Sequence, residues 1–329
     1  MEPSQESVLD GKSVLVTGGT GSFGRAFIKT ILKRHSPRRV VVFSRDELKQ
    51  YEFQQEIGAD PRLRFFIGDV RDRERLSRAF DGVDIVVHAA ALKQVPAAEY
   101  NPFETIKTNV NGAQNVIDAA LDRKVERVIA LSTDKASSPI NLYGATKLVS
   151  DKLFVAANAY SGARPTRFSV VRYGNVIGSR GSVVPYFQRL ASTGVIPITD
   201  ERMTRFWITV DQGVEFVIRM IAAMSGGELF VPRIPSMRLL DLATAVAPEA
   251  RVEIVGIRPG EKLHEEMIGA DDARRTRDAG DFFVMQPDVD WWSSEPWADA
   301  PFCAPGFRYT SDANTQWLSV EDLRRLLDA

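Results

Sequence analysis

Tyr143 and Lys147 stand four residues apart, a spacing that puts both side chains on one face of a helix. There the ammonium can reach a nicotinamide ribose and lower the pKa of the phenol. Such pairs also occur by chance on exposed helices, so the weight comes from what precedes this one. Residues 127–131 form an apolar run that reads as a strand, and Ser132-Thr133-Asp134-Lys135 sits at its carboxyl end. Ligands bind at that end in parallel sheets. Asp134 and Lys135 could share a proton-transfer task, since a desolvated lysine serves as a base. The alternative is a surface turn after a strand.

The elements that position these groups begin near the start of the chain. Lys12-Ser-Val-Leu-Val-Thr17 reads as a strand, followed by Gly18-Gly-Thr-Gly21-Ser22-Phe23-Gly24 and an amphipathic run over 25–34. Strand, glycine turn and helix are the context of a dinucleotide site. The turn brings backbone to the pyrophosphate and the helix N-terminus favours its charge. A second strand over 39–43 ends at Ser44, twenty residues after Gly24, where NAD-selective sites place an acid. Ser44, Arg45 and Lys49 suit a 2'-phosphate instead, so NADP is expected over NAD, although Asp46 could turn inward to the ribose. A third strand, 63–67, leads to Gly68-Asp69-Val70, where Asp69 either meets the adenine amino group or caps the helix near Asp72. A fourth, 84–88, ends at Ala89-Ala90-Ala91, small enough for a cofactor to lie against, with Lys93 beyond it facing substrate phosphate or solvent. Helical spacing over 102–123 puts Asn109 on an apolar face, where it supports the catalytic helix, bridges through water or is simply a satisfied buried amide. A fifth strand (127–131), the Tyr143 helix (141–161) and a sixth strand (167–172) complete the alternation. The fold expected is α/β, a doubly wound parallel sheet of the Rossmann kind over 1–175.

From 176 to 329 the pattern is less regular and reads as a smaller substrate-binding lobe. It contains a polar loop at 199–206 and the rigid turn Arg258-Pro-Gly-Glu261-Lys262. Arg258 could hold a diphosphate and Glu261 a ribose; both could equally be solvated turn residues. Trp291, Trp292, Trp297 and Trp317 read as packing.

With 329 residues, a formal net charge of -1 and 44% hydrophobic residues, the chain can bury a large core and lacks the basic face that nucleic acid requires. Cys303 is the single cysteine, and the three histidines lack ligand spacing, so neither a disulfide within the chain nor a metal site is expected. Met1 to Glu6 carry neither the basic start nor the apolar run of a leader, and the most apolar window, 214–224, is broken by Glu215 and Arg219. A cytoplasmic protein with no membrane span is expected.

These motifs resemble the extended short-chain dehydrogenase/reductase superfamily, which includes nucleotide-sugar epimerases and dehydratases. The resemblance is carried by Thr17-Gly-Gly-Thr-Gly-Ser-Phe-Gly24, Ser44-Arg-Asp-Glu-Leu-Lys49, His88-Ala-Ala-Ala-Leu-Lys93, Ser132-Thr-Asp-Lys135, Tyr143-Gly-Ala-Thr-Lys147, Arg172-Tyr-Gly-Asn175, Arg258-Pro-Gly-Glu-Lys262 and the tail from Tyr309 to Trp317. Within the superfamily the Thr-Asp-Lys triplet is similar to that of inverting UDP-N-acetylglucosamine 4,6-dehydratases of the pseudaminic acid pathway. The 4-epimerases usually carry small or hydroxyl residues there, and retaining sugar dehydratases carry Asp-Glu. The resemblance implies a recycled, tightly bound NADP, Tyr143 as the base for oxidation at C4, and Lys135 removing the C5 proton while Asp134 protonates the departing C6 hydroxyl. It also implies that Thr133 bonds the sugar 4-hydroxyl and that Lys93, Asn175, Val184, Thr199, Arg205, Arg258 and Glu261 surround a UDP-sugar. A homo-oligomer formed through the long helices is implied as well. A UDP-sugar 4-epimerase, needing only Tyr143, Lys147 and cofactor, and a non-catalytic NADP-binding regulator are the competing readings.

Overall fold

The computed structural model describes residues 7–178, 183–289, 292 and 295–328; Met1 to Glu6 and Trp291, named above, lie outside them. β1 (Ser13–Thr17) is buried along its whole length, as befits a strand covered on both faces. Alternation continues through α1 (Ser22–Arg34), β2 (Arg39–Ser44), α2 (Glu47–Ile57), β3 (Leu63–Ile67), α3 (Arg73–Ala79), β4 (Ile85–His88) and α4 (Val95–Tyr100). α5 (Pro102–Ile106) and α6 (Gly112–Asp122) are joined by a π-helical turn, Lys107–Asn111, so the single helix expected over 102–123 is interrupted at Asn109. β5 (Arg127–Thr133) ends in a 3-10 turn, Asp134–Ala136, followed by α7 (Leu142–Ala157) and β6 (Arg167–Tyr173).

The rest of the chain supplies β7 (Asn175–Val176), α8 (Val183–Ala191), β8 (Val195–Ile198), β9 (Thr204–Ile208), α9 (Val210–Ala223), β10 (Leu229–Pro232), β11 (Ser236–Arg238) and α10 (Leu239–Val246). After these come β12 (Arg251–Ile254), β13 (Glu266–Ile268), β14 (Thr276–Asp278), β15 (Phe282–Met285), β16 (Tyr309–Thr310) and α11 (Val320–Asp328).

Nine strands form one sheet in the order β14-β15-β10-β6-β5-β4-β1-β2-β3. It is parallel from β3 to β10, with β15 and β14 added antiparallel. The strand order reverses between β1 and β4, whose last paired residues are Thr17 and His88. That switch point opens the crevice in which doubly wound sheets bind ligands. Elements from beyond residue 175 also join the large sheet and its core. β10 pairs with β6, α9 packs on α1, and both belong to the large core because their apolar faces have no other layer to cover. What remains apart is a smaller apolar cluster around Phe187, Ile196, Ile198, Trp207 and Leu242.

Candidate active site

α7 begins at Asn141, whose side chain accepts the Gly144 N–H at 2.8 Å and donates to the Gly260 carbonyl at 2.8 Å. The cap fixes the first turn, and with it Tyr143, beside the end of β5. Gly144 is required for that approach: a Cβ there would lie 2.1 Å from the Lys135 carbonyl oxygen. One turn on, Lys147 is buried and donates to the Leu131 carbonyl at 2.6 Å. Burial lowers its pKa, and Asp151 acts in the opposite sense. Asp151 accepts from Ser132 at 2.7 Å and from the buried Arg172 guanidinium at 3.1 Å. Arg172 also donates to the Met267 carbonyl at 2.9 Å. Asn109, on the π turn, bonds the backbone of Leu92 and donates to the Thr146 hydroxyl of α7 at 3.0 Å, so this amide braces α7 directly.

Desolvation pushes the Tyr143 phenol up to about 12, and the groups that draw it back are Lys135 and the Thr133 hydroxyl. Lys147 Nζ, one turn along the helix, is tied to the Leu131 carbonyl. Thr133 donates to Asp134 Oδ1 at 2.9 Å, and Lys135 Nζ lies 3.0 Å from the same oxygen. A second acid, Glu265, stands 3.1 Å from Lys135 Nζ. Burial raises the Asp134 carboxyl above its ordinary range, against the pull of Lys135. Burial alone would lower the Lys135 ammonium, but Asp134 and Glu265 together raise it.

Thr133, Asp134, Lys135, Tyr143 and Lys147 line one cavity of about 630 Å³, and so do Gly18, Gly21, Ser22, Phe23, Gly24, Ser44, Arg45, Lys49, Asp69, Val70, Ala90, Lys93 and Asn175. The N-terminus of α1 opens on it with no side-chain cap and no acid in the first turn. That is donor chemistry suited to a pyrophosphate, so the residues fit a dinucleotide. At the far rim Ser44 Oγ accepts from Gln50 at 3.1 Å. Asp46, left open above as a ribose ligand, instead caps α2 and holds Lys49 Nζ at 2.6 Å. Asp69 accepts from the Arg71 backbone and guanidinium, while Asp72 caps α3, so Asp69 is not the cap.

The expected contacts from the smaller lobe stand outside that cavity's lining. Arg258 pairs with Glu261 at 3.1 Å, and Glu261 with the buried Arg205 at 3.4 Å. Thr199 donates to the Met203 sulfur at 3.1 Å. Val184 packs in the apolar cluster with Phe187 and Ile196, because it falls on the buried face of α8. Sequence reasoning missed Glu265, Asp151 and Arg172. Asp151 was findable, four residues beyond Lys147 on the same helix face. An acidic doublet directly before the apolar Met267-Ile268 was the signal for Glu265.

The family described as "Polysaccharide biosynthesis protein" matches residues 14–287. The chain belongs to it. Among its relatives is an inverting UDP-N-acetylglucosamine 4,6-dehydratase of Campylobacter jejuni, 52% identical over 326 residues, covering 96% of this chain and 97% of that protein. A UDP-glucose 4-epimerase of Rickettsia canadensis is 36% identical and covers 96% of this chain and 95% of its own length. Among solved structures, Pen from Bacillus thuringiensis superposes with a TM-score of 0.89 at 36% identity, covering 97% of this chain and 98% of that one. DesIV of Streptomyces venezuelae, a dTDP-glucose 4,6-dehydratase solved with NAD and TYD bound, gives 0.72 at 26% identity, covering 87% and 94%. The fold is that of the extended short-chain dehydrogenases and reductases. Among the described residues no cluster of His, Cys, Asp or Glu could hold a metal ion, and no helix is long and apolar enough to cross a membrane.

Proposed function

We propose that the protein is a UDP-N-acetylglucosamine 4,6-dehydratase that inverts C5. The observation that carries this is buried Asp134 paired at 3.0 Å with half-buried Lys135 beside Tyr143, in a chain 52% identical to a relative of that name. A 4-epimerase would leave both groups idle. When bound, a nicotinamide cofactor supplies the hydride acceptor for C4 and the donor for C6. Tyr143 takes the proton of the sugar 4-hydroxyl, assisted by the Lys135 charge and the Thr133 hydroxyl. Lys135 removes the proton at C5, which the neighbouring ketone has made acidic, and Asp134, whose carboxyl burial raises above its ordinary range, gives a proton to the departing C6 oxygen. Arg258, Arg205 and Glu261 supply charge for the nucleotide, with Asn175 and Lys93 nearer the sugar.

NADP is the cofactor proposed. Arg45 at the rim has its guanidinium 3.7 Å from Asp69 and free enough to meet a 2'-phosphate, with Lys49 one turn away. A homo-oligomer is proposed through α4, α5 and α7, where Tyr100, Phe103 and Val149 are exposed apolar residues; light scattering on the purified protein tests it. A cytoplasmic location accords with a lone free cysteine, Cys303.

The experiment is incubation with UDP-N-acetylglucosamine without added reductant, followed by mass and proton NMR analysis. Loss of one water with inverted C5 is expected, and Lys135→Ala should abolish it while cofactor stays bound. An unchanged mass with a galacto-configured sugar would replace the dehydratase with an epimerase.

A further inference from the structure

Lys135 Nζ lies between two carboxylates, 3.0 Å from Asp134 Oδ1 and 3.1 Å from Glu265 Oε1. Both acids are almost wholly buried, and Asp134 Oδ2 and Glu265 Oε2 have no hydrogen-bond partner among the described residues. Glu265 reaches this place from far along the chain. Its backbone N–H donates to Ser311 Oγ at 2.9 Å, and its carbonyl accepts the Ser311 N–H at 2.8 Å, an extension of the β13–β16 pairing. On its other side Arg205 Nε stands 3.8 Å away, and Arg205 in turn meets Glu261, which meets Arg258. Charge therefore alternates along one row from the surface at Arg258 to the buried Asp134. The charged and titratable groups facing Lys135 are Asp134 from the end of β5, Glu265 ahead of β13, Arg205 of β9, Tyr143 of α7 and Lys262 of the preceding turn.

We infer that Glu265 is a positioning residue for water loss: its charge and contact retain the one proton that Asp134 and Lys135 share. The inference rests on the dehydratase reading. Passage of a proton from Lys135 Nζ to Asp134 Oδ1, across their 3.0 Å contact, turns ammonium and carboxylate into amine and carboxylic acid with no change in net charge. The amine then takes the C5 proton and the acid protonates the C6 oxygen. The C5–H and C6–O bonds break, the C5–C6 double bond forms, water leaves, and the pair is again ammonium and carboxylate. If the shared proton escapes to solvent instead, no acid remains for the C6 oxygen. The Glu265 anion opposes that escape, and Arg205 keeps Glu265 itself ionised; burial would raise the Glu265 pKa, yet Lys135 and Arg205 hold it low.

The test measures the protonation of Lys135 directly. Trace acetylation with acetic anhydride as a function of pH, read by mass spectrometry of the Lys135 peptide, is compared in the wild-type protein, Glu265→Gln and Glu265→Asp. In the wild type Lys135 should become reactive only above the pH at which exposed lysines such as Lys33 react. In Glu265→Gln its midpoint should fall by about one pH unit or more, with Glu265→Asp between the two. The basic limb of water loss from UDP-N-acetylglucosamine should fall with it. Superimposed Lys135 profiles overturn the inference, even if turnover drops, because a merely structural role leaves that midpoint in place. Should Glu265→Gln not fold, a wild-type midpoint at or below that of Lys33 overturns it as well. A wild-type protein that releases no water sinks the dehydratase reading, while the Lys135 midpoint still decides the role of Glu265.

Discussion

One wall of the cavity is backbone and small side chains; the opposite wall is buried charge. The cofactor wall is built from the glycine turn after β1 and the alanines after β4, and its attraction for an anion comes from an uncapped helix end. The opposite wall is lined by Asp134, Lys135 and Tyr143, with Glu265 and Arg205 behind it, side chains whose charges fix one another. Backbone donors keep their polarity whatever the neighbouring side chains are, so that wall fails by steric intrusion. A cluster of buried charges fails by imbalance, since removing one member strands its partner.

Four substitutions press on this contrast. Tyr143→Phe keeps the ring and removes the hydroxyl, so turnover of UDP-N-acetylglucosamine should fall about 10³-fold with cofactor affinity unchanged; a loss confined to cofactor binding would erase the distinction between the walls. Asp151→Asn leaves the buried Arg172 without its ionic partner and should cost about 3 kcal/mol in urea unfolding. Less severe is Gly24→Ala, whose Cβ would stand 2.7 Å from the Gly18 carbonyl oxygen. It should weaken cofactor binding by about 2 kcal/mol, read by titration, because α1 must back away from the turn that it packs against. The smallest effect belongs to Arg45→Ala. Its guanidinium is exposed, so the preference for NADP over NAD should narrow by about 1 kcal/mol, roughly fivefold, with turnover at saturating cofactor retained.

The same contrast explains what could be read from sequence. The glycine turn, Ser44 to Lys49, Asp134-Lys135 and Tyr143 to Lys147 are each contiguous, and their spacing alone brings the groups together once strand and helix are assigned. Six alternating strands were legible for the same reason. β10 and β15 were not, because nothing local says that a strand in the irregular half returns to the large sheet; that is decided by which apolar face remains uncovered. Glu265 was hidden for a kindred reason: 130 residues separate it from Lys135, and an acid becomes a partner only when β13 and β16 pair. Asp46, left open as a ribose ligand, has its carboxylate satisfied at short range by capping α2. Lys147, legible from its spacing to Tyr143, also donates to the Leu131 carbonyl, a backbone contact that spacing does not announce.

The bond between Glu265 and Ser311 also has a consequence for the order of events at the ribosome. Chains of this kind fold from the N-terminus while synthesis continues. The glycine turn and the first strands can take shape early, since every residue of that turn is made before Ser311. In a nascent chain that ends before Ser311, Glu265 has neither backbone partner from the tail. The glycine cradle can thus form before the last stretch of the message fixes the backbone of Glu265.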